Sequence, residues 1–391
     1  MFSDGSYEDL LHRFETDIHY GVCYDVLRRQ FLSGGRKCTL YMIDGCTAQD
    51  EVSLFLTRMM AAGEISGAPR PFSEVLAGYL PYGEVKTRDN YGDVLNDLLS
   101  GSPVLFAEGV SAAFMIDARE IPQRVTTEPD KERSLRGSHD GFTEILVHNT
   151  ALIRKRLRST DLVLEALKAG VSSKSDVVLC HMAGRVDEDY LASVRERIRA
   201  CPAEGMVMNQ ESLAEHLVKV PLWNPFPRIR QSERPDMISA ALLEGKIVIL
   251  VDNASTAMIL PARFIDFFKE ANDYYFPPFI GSYYRIVRVV MVLIAVFLTP
   301  FVLLMNRCQD SLSPFWDFML LKEPAEIPLY AQFLVYEFLV GMLRMSALNV
   351  PNNVGTALST VSAIIVGDFA VNAGWATREV VLFVSFVAVT L

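Results

Sequence analysis

LSGSPVLFAEGVSAAFMIDAR (99–119) returns 144 residues later as LEGKIVILVDNASTAMILPAR (243–263). Leu99, Gly101, Ser111 and Arg119 of the first stretch match Leu243, Gly245, Ser255 and Arg263 of the second. Each stretch runs glycine turn, apolar run, polar turn, apolar run, which is the pattern of a β-hairpin. Upstream of each lies a related unit. CTLYMIDGCTAQDEVSLFLTRMM (38–60) and DVVLCHMAGRVDEDYLASVRERI (176–198) both read as strand, loop, helix. Asp50–Glu51 and Asp187–Glu188 stand at the helix starts, where carboxylates favour the positive end of the helix dipole. The same units in the same order predict a duplication. Two related soluble α/β subdomains, β-hairpins plus strand–helix units, are expected at 1–130 and 131–280.

Outward from these copies the composition changes. Of 391 residues half are apolar, but charge is unevenly spread. Residues 1–284 hold 31 Lys+Arg and 40 Asp+Glu, whereas 285–391 hold only 6 and 7. The first part reads as soluble and acidic, the second as membrane-embedded. IVRVVMVLIAVFLTPFVLLM (286–305) has the length and composition of a membrane-spanning helix, with Arg285 and Arg288 at its start and Pro300 near its end as a kink. Basic residues ahead of that helix place the soluble part on the cytoplasmic side. Further helices are expected at about 328–348, 356–375 and 379–391. The last is an apolar run of about 12 residues against the roughly 20 that span a bilayer, so the chain reads as truncated at its C-terminus. The expected fold class is multidomain: two α/β subdomains, then an all-α helical transmembrane domain at 281–391.

A few polar residues stand out in the apolar part. Glu337 and Arg344 are seven residues apart, two helical turns, and so share a face. That face should look into protein or water if 327–351 spans or re-enters the bilayer; an interfacial helix with Arg344 among headgroups is the alternative. Asp368 sits mid-span, where a charged aspartate costs about 2.5–3.5 kcal/mol. It calls for a partner such as Arg344 or for an ion path. Ser359, Ala363, Gly367, Ala370 and Gly374 form a stripe of small residues at helical spacing, suited to close helix packing.

In the soluble part, RSLRGSHDGFTEILVHNTALIRKRLRS (133–159) reads as an amphipathic helix over Phe142–Leu157, with Asp140 as its N-cap or first-turn acid. Arg154, Lys155, Arg156 and Arg158 fall in its last turns. They are either a solvated helix end or a contact for anionic headgroups or an acidic neighbouring subunit.

Other classes fit poorly. The six cysteines are scattered, with no CxxC pair and no zinc spacing, so no metal or cofactor is expected. The N-terminus lacks the basic and apolar regions of a signal peptide. The acidic balance argues against a nucleic-acid partner. No Gly-x-Ser-x-Gly, Walker loop or Rossmann fingerprint appears, and Asp44 and Asp117 read as turn and strand-end residues, so no enzyme is indicated.

Three blocks resemble a known family. They are RGSHDGFTEILVHNTALIRKRLR (136–158); RQSERPDMISAALLEGKIVILVDNASTAMILP (230–261) with Phe264 and Asp273-Tyr274-Tyr275; and LRMSALNVP (343–351) leading to VGDFAVNAG (366–374). The chain resembles the A-subunit family of GerA-type spore germination proteins. His139-Asp140, Leu343–Met345 and Gly367-Asp368 are similar to the stage V sporulation protein AF branch. The resemblance implies a multi-pass protein of the spore inner membrane with its soluble domains on the core side. It also implies a homo-oligomer in the bilayer that works with other germination membrane and lipoprotein subunits in ion release. Glu337 and Asp368 would then select or gate charge, with Arg344 as counter-charge. A non-conducting scaffold, a nutrient receptor A subunit and a transporter-like subunit are the alternatives.

Overall fold

The computed structural model describes residues 7–61, 85–120, 137–202, 210–218, 227–309, 313–321, 327–349 and 371–390. The chain divides into two compact units, Met1–Tyr275 and Phe276–Leu391.

The first unit holds two five-stranded sheets. The first half runs helix Tyr7–Asp17, β1 (Val26–Ser33), β2 (Arg36–Ile43), helix Gln49–Ala61, β3 (Val85–Arg88), helix Tyr91–Leu99, β4 (Val104–Ala107) and β5 (Ala113–Ile116). The second half runs helix Leu146–Arg156, β6 (Leu162–Ala169), β7 (Ser175–Met182), helices Glu188–Arg199 and Gln210–Leu217, β8 (Arg230–Ser232), helix Pro235–Leu243, β9 (Ile247–Val251) and β10 (Ala257–Leu260). The sheet orders are β1-β2-β4-β5-β3 and β6-β7-β9-β10-β8, the same order twice. Every neighbouring pair is antiparallel. Matching helices agree in length as well. Helices Tyr7–Asp17 and Leu146–Arg156 have 11 residues each, and helices Tyr91–Leu99 and Pro235–Leu243 have nine.

Helices cover both faces of each sheet, which explains why the central strands VLFA and IVILV are buried along their whole length instead of alternating. On β2, Cys38 and Leu40 face Phe55 and Met59 of helix Gln49–Ala61. Tyr41 and Ile43 point the other way, to Phe14, Val94 and Leu98. The second half repeats this. Val177 and Leu179 pack with Leu191, Val194 and Ile198, while Val178 and Cys180 pack with Leu152, Ile153, Ile238 and Leu242. Each large apolar side chain so buried contributes about 1.5–3 kcal/mol.

The helix of block 136–158 begins later than the sequence suggests. Ile145 is its N-cap, without a side-chain cap bond. Asp140 lies in the extended segment before it, so the N-cap expected there is corrected. Asn149 anchors that segment instead: its Oδ1 accepts from Thr143 N at 2.8 Å and its Nδ2 donates to Thr143 O at 2.6 Å.

In the second unit, helix Pro278–Arg307 continues through Pro300 and is followed by a 3-10 turn at Pro314–Met319 and by helices Leu329–Asn349 and Arg378–Thr390. Val302, Phe333, Tyr336, Val380, Phe383 and Val384 form their common core. Among the described residues one helix, Pro278–Arg307, is long and apolar enough to cross a membrane. The expected helix at 356–375 lies outside the described residues up to Ala370.

Candidate functional site

Two polar constellations organise the first unit, and both draw on block 136–158. The first joins the halves. Arg154 is buried, and its guanidinium forks onto the equally buried Asp25, 129 residues earlier: Nε to Oδ2 at 3.0 Å and Nη2 to Oδ1 at 3.2 Å. Its Nη1 donates to the carbonyls of Ser159 and Leu162 at 3.3 and 3.2 Å. Burial alone would lower the Arg154 pKa; the facing Asp25 carboxylate outweighs it and raises the value. Beside it, the Tyr24 and Thr150 hydroxyls share a 2.7 Å hydrogen bond, and Tyr24 N donates to Leu164 O at 3.0 Å. This overturns a surface role for Arg154. The other three residues of the basic run part company: Arg158 is exposed, Lys155 is half-buried, and Arg156 turns to Asp140.

The second constellation is a clamp at the end of the unit. Arg156 Nη2 donates to Ser138 Oγ at 2.7 Å and to Asp140 Oδ2 at 3.2 Å. Arg234, fully buried, donates through Nη2 to Ser138 O and to Asp236 Oδ2, both at 2.7 Å. The Tyr275 hydroxyl donates to Asp236 Oδ2 at 2.6 Å. Gly137 lies under the Tyr275 ring so closely that a Cβ would overlap it, and its φ of +100° favours glycine as well. Burial pushes the Asp236 carboxyl up, but hydrogen bonds from Arg234 and Tyr275 outweigh it and hold the pKa below the usual value. Burial and the bond to Asp236 both push the Tyr275 phenol up. Residues 137–140, 156, 234–236 and 275 thus converge from three sequence blocks on one knot. Tyr275 is three residues before Pro278, the first residue of the long apolar helix.

The polar residues expected in the second unit are not brought together as a pair. Thr299 Oγ1 donates to Glu337 Oε1 at 2.8 Å. Arg344 Nη2 donates to Ala388 O at 2.6 Å, at the end of helix Arg378–Thr390. Both residues are exposed. Gln332 was not singled out by the sequence reading, yet it is buried: it accepts from Thr377 N at 2.9 Å and donates to Ile327 O at 2.8 Å. Asn306 likewise ties Leu321 N and Met319 O to its own helix. Amides inside apolar runs were the available signal for both. Asp368, Ser359, Ala363, Gly367 and Ala370 lie outside the described residues. Gly374 is exposed, with a φ of +72°.

The duplicated sheets followed by a long apolar helix define a protein of two antiparallel sheets with helices and one candidate membrane span, and the family follows from comparison. Residues 13–391 match the family described as Bacillus/Clostridium GerA spore germination protein, and the chain belongs to it. It is 29% identical to stage V sporulation protein AF of Bacillus subtilis over 376 residues, which are 96% of this chain and 76% of that one. It is 27% identical to spore germination protein KA of Bacillus subtilis over 381 residues, 96% of this chain and 70% of that one. The crystal structure of the N-terminal domain of the A subunit of the Bacillus megaterium spore germinant receptor GerK3 shares the fold, with a TM-score of 0.51 and 23% identity over 66% of this chain and 96% of that one.

Proposed function

We propose that the chain is a subunit of a germination complex in the spore inner membrane, that several copies assemble through the bilayer, and that the assembly releases ions. The observation that carries this reading is the exposure of Glu337 and Arg344 on an otherwise uncharged helix of the second unit. In a bilayer, outward-facing ionisable groups are costly against acyl chains and are tolerated when they face protein or a water-filled path. A neighbouring copy supplies both. Asp368 would add a second carboxylate to that path. The soluble unit would face the spore core, and the Tyr275 clamp would hold the chain just ahead of helix Pro278–Arg307.

The hydrogen bonds of the same two residues favour a second reading. Glu337 is held by Thr299 and Arg344 by Ala388 O, so both are satisfied within one chain and a non-conducting scaffold needs nothing more of them. Glu337→Gln and Asp368→Asn, in spores of the producing organism, separate the two. Ion-release kinetics altered severalfold at unchanged protein abundance support conduction. Unchanged kinetics for both, together with assembly lost on Arg156→Ala, support the scaffold and remove these residues from the site.

A further inference from the structure

The second half closes on a short turn with two unlike sides. After β10 the chain forms a 3-10 turn at Phe264–Phe268. Its inward side is pinned. Asp266 is buried, accepts from Lys246 Nζ at 2.5 Å and from Arg263 N at 2.9 Å, and pairs with Lys269 at 3.2 Å; Phe268 is buried beside it. Its outward side is apolar. Phe264, Ile265 and Phe267 are 59%, 49% and 40% exposed. The Phe264 ring also packs edge-on against Phe268, with ring centroids 5.1 Å apart.

The duplication supplies an internal control. At the offset of 144 that relates the hairpins, Phe264 and Phe267 correspond to Glu120 and Gln123 in the first half. The pinning residues Lys246 and Asp266 correspond to Ser102 and Pro122. By sequence, the two aromatics and the Lys–Asp pair belong to the second copy, while Ile265 has its match in Ile121. That copy runs into the apolar helix, whose first residue, Pro278, is ten positions beyond Phe268. A chain of that length reaches at most about 33–36 Å. The intervening sequence adds Tyr274, which is exposed, and tyrosine is enriched at membrane–water boundaries.

We infer that the 3-10 turn Phe264–Phe268 is a membrane-docking surface, with Phe264, Ile265 and Phe267 inserted at the headgroup level of the bilayer that helix Pro278–Arg307 crosses. The inference rests on that helix spanning the membrane. Its effect would be to seat the soluble unit on the lipid surface by a second attachment besides the chain itself.

The test uses the full chain in lipid nanodiscs. Five of the six cysteines are buried and only Cys308 is exposed, so Cys308→Ser gives a background for single labelling sites. An environment-sensitive fluorophore is placed in turn at Phe264→Cys, Ile265→Cys and Phe267→Cys, with Leu32→Cys on β1 and Val296→Cys inside the apolar helix as references. Two or more turn positions are expected to lose about half their fluorescence or more to lipids carrying a shallow nitroxide, as befits groups about 5–10 Å below the surface. Val296→Cys should respond to deep nitroxides and Leu32→Cys to neither. A quenched Val296 probe with unquenched turn probes overturns the docking surface while leaving the spanning helix intact. Turn probes shielded from both lipid nitroxides and a water-soluble quencher overturn it in favour of a protein neighbour. Quenching of Leu32→Cys to the same extent also overturns it. An unquenched Val296 probe removes the spanning helix itself, and the inference with it.

Discussion

Helices Tyr7–Asp17 and Leu146–Arg156 open the two halves at equivalent places, have the same length, and make opposite use of their charges. Glu15 and Arg154 occupy matching positions, 139 residues apart. Glu15 stays within its own half. It accepts from Arg28 at 2.6 Å and from the Tyr41 hydroxyl at 2.7 Å, and the Glu15–Arg28 pair is partly open to water. Arg154 leaves its half to grip Asp25, and that pair is closed to water. A duplicated fold therefore contains one ordinary leading helix and one that bolts the copies together. The second copy has taken on connection to the first through Arg154, and it carries the Phe264–Phe268 turn.

The largest expected consequence of this asymmetry lies at the bolt. Removing one member of a buried pair leaves the other charge uncompensated, so Arg154→Met should cost about 3–5 kcal/mol. Glu15→Gln, in a partly solvated pair, should cost about 1 kcal/mol or less. The five buried cysteines all lie in the first unit, and the urea concentration at which they become reactive reads its unfolding without interference from the helices beyond. The double variant Asp25→Leu/Arg154→Met should recover most of the loss. Equal costs for Arg154→Met and Glu15→Gln would break the contrast.

A smaller effect compares two turns. Gly45 and Gly184 follow β2 and β7 with φ of +74° and +73°. At Gly45 a Cβ would lie 2.8 Å from Val147 Cγ1 and 3.1 Å from Ala151 Cβ, on the helix of the other half; at Gly184 nothing stands within 4 Å. Gly184→Ala should therefore cost only the left-handed strain of about 1–2 kcal/mol. Gly45→Ala adds overpacking and should total about 2–4 kcal/mol, read by the same thiol assay. Equal losses would mean that the halves do not press together at this turn.

The parts of the fold legible in the sequence were those with local periodicity. The hairpins 99–119 and 243–263 announce themselves because each pairs two apolar runs across a short polar turn, which needs no knowledge of partners. Strands β1 and β6 stayed hidden. β1, VLRRQFLS, is an edge strand whose middle residues face water, so it lacks the apolar run that marks β4 and β9. The pairing of Arg154 with Asp25 was illegible for a different reason. In sequence the run Arg154, Lys155, Arg156, Arg158 is a basic helix end, and only tertiary packing decides which of its members turns inward. The clamp was half legible. Its residues all fall in the blocks that carry the family resemblance, but nothing in their spacing says that Ser138, Asp236 and Tyr275 meet. Glu337 and Arg344 stand two turns apart, about 10 Å along the helix axis, yet each bonds to another helix: Glu337 to Thr299 and Arg344 to Ala388 O.

The last contrast concerns the ion pair that distinguishes the second copy. Lys246, the Arg263 amide and Lys269 outweigh burial and depress the Asp266 pKa to about 2. A carboxyl whose pKa falls on folding stabilises the folded state above its unfolded value near 4, and loses that contribution as pH drops through the folded value. The shift corresponds to about 2 kcal/mol, present at neutral pH and lost between about pH 4 and 2. Asp140 and Asp236 are also depressed and act in the same direction. Asp266→Asn isolates the one contribution: the unfolding free energy read from thiol exposure in urea should fall by about that amount at pH 7 and by progressively less below pH 4. Ser102→Ala tests the first-half match of Lys246; a hydroxyl does not titrate, so its effect should not vary with pH over that range. A pH-independent loss for Asp266→Asn would mean that the turn is held by packing of Phe268 rather than by the charges beneath it, and the two copies would then differ in shape alone.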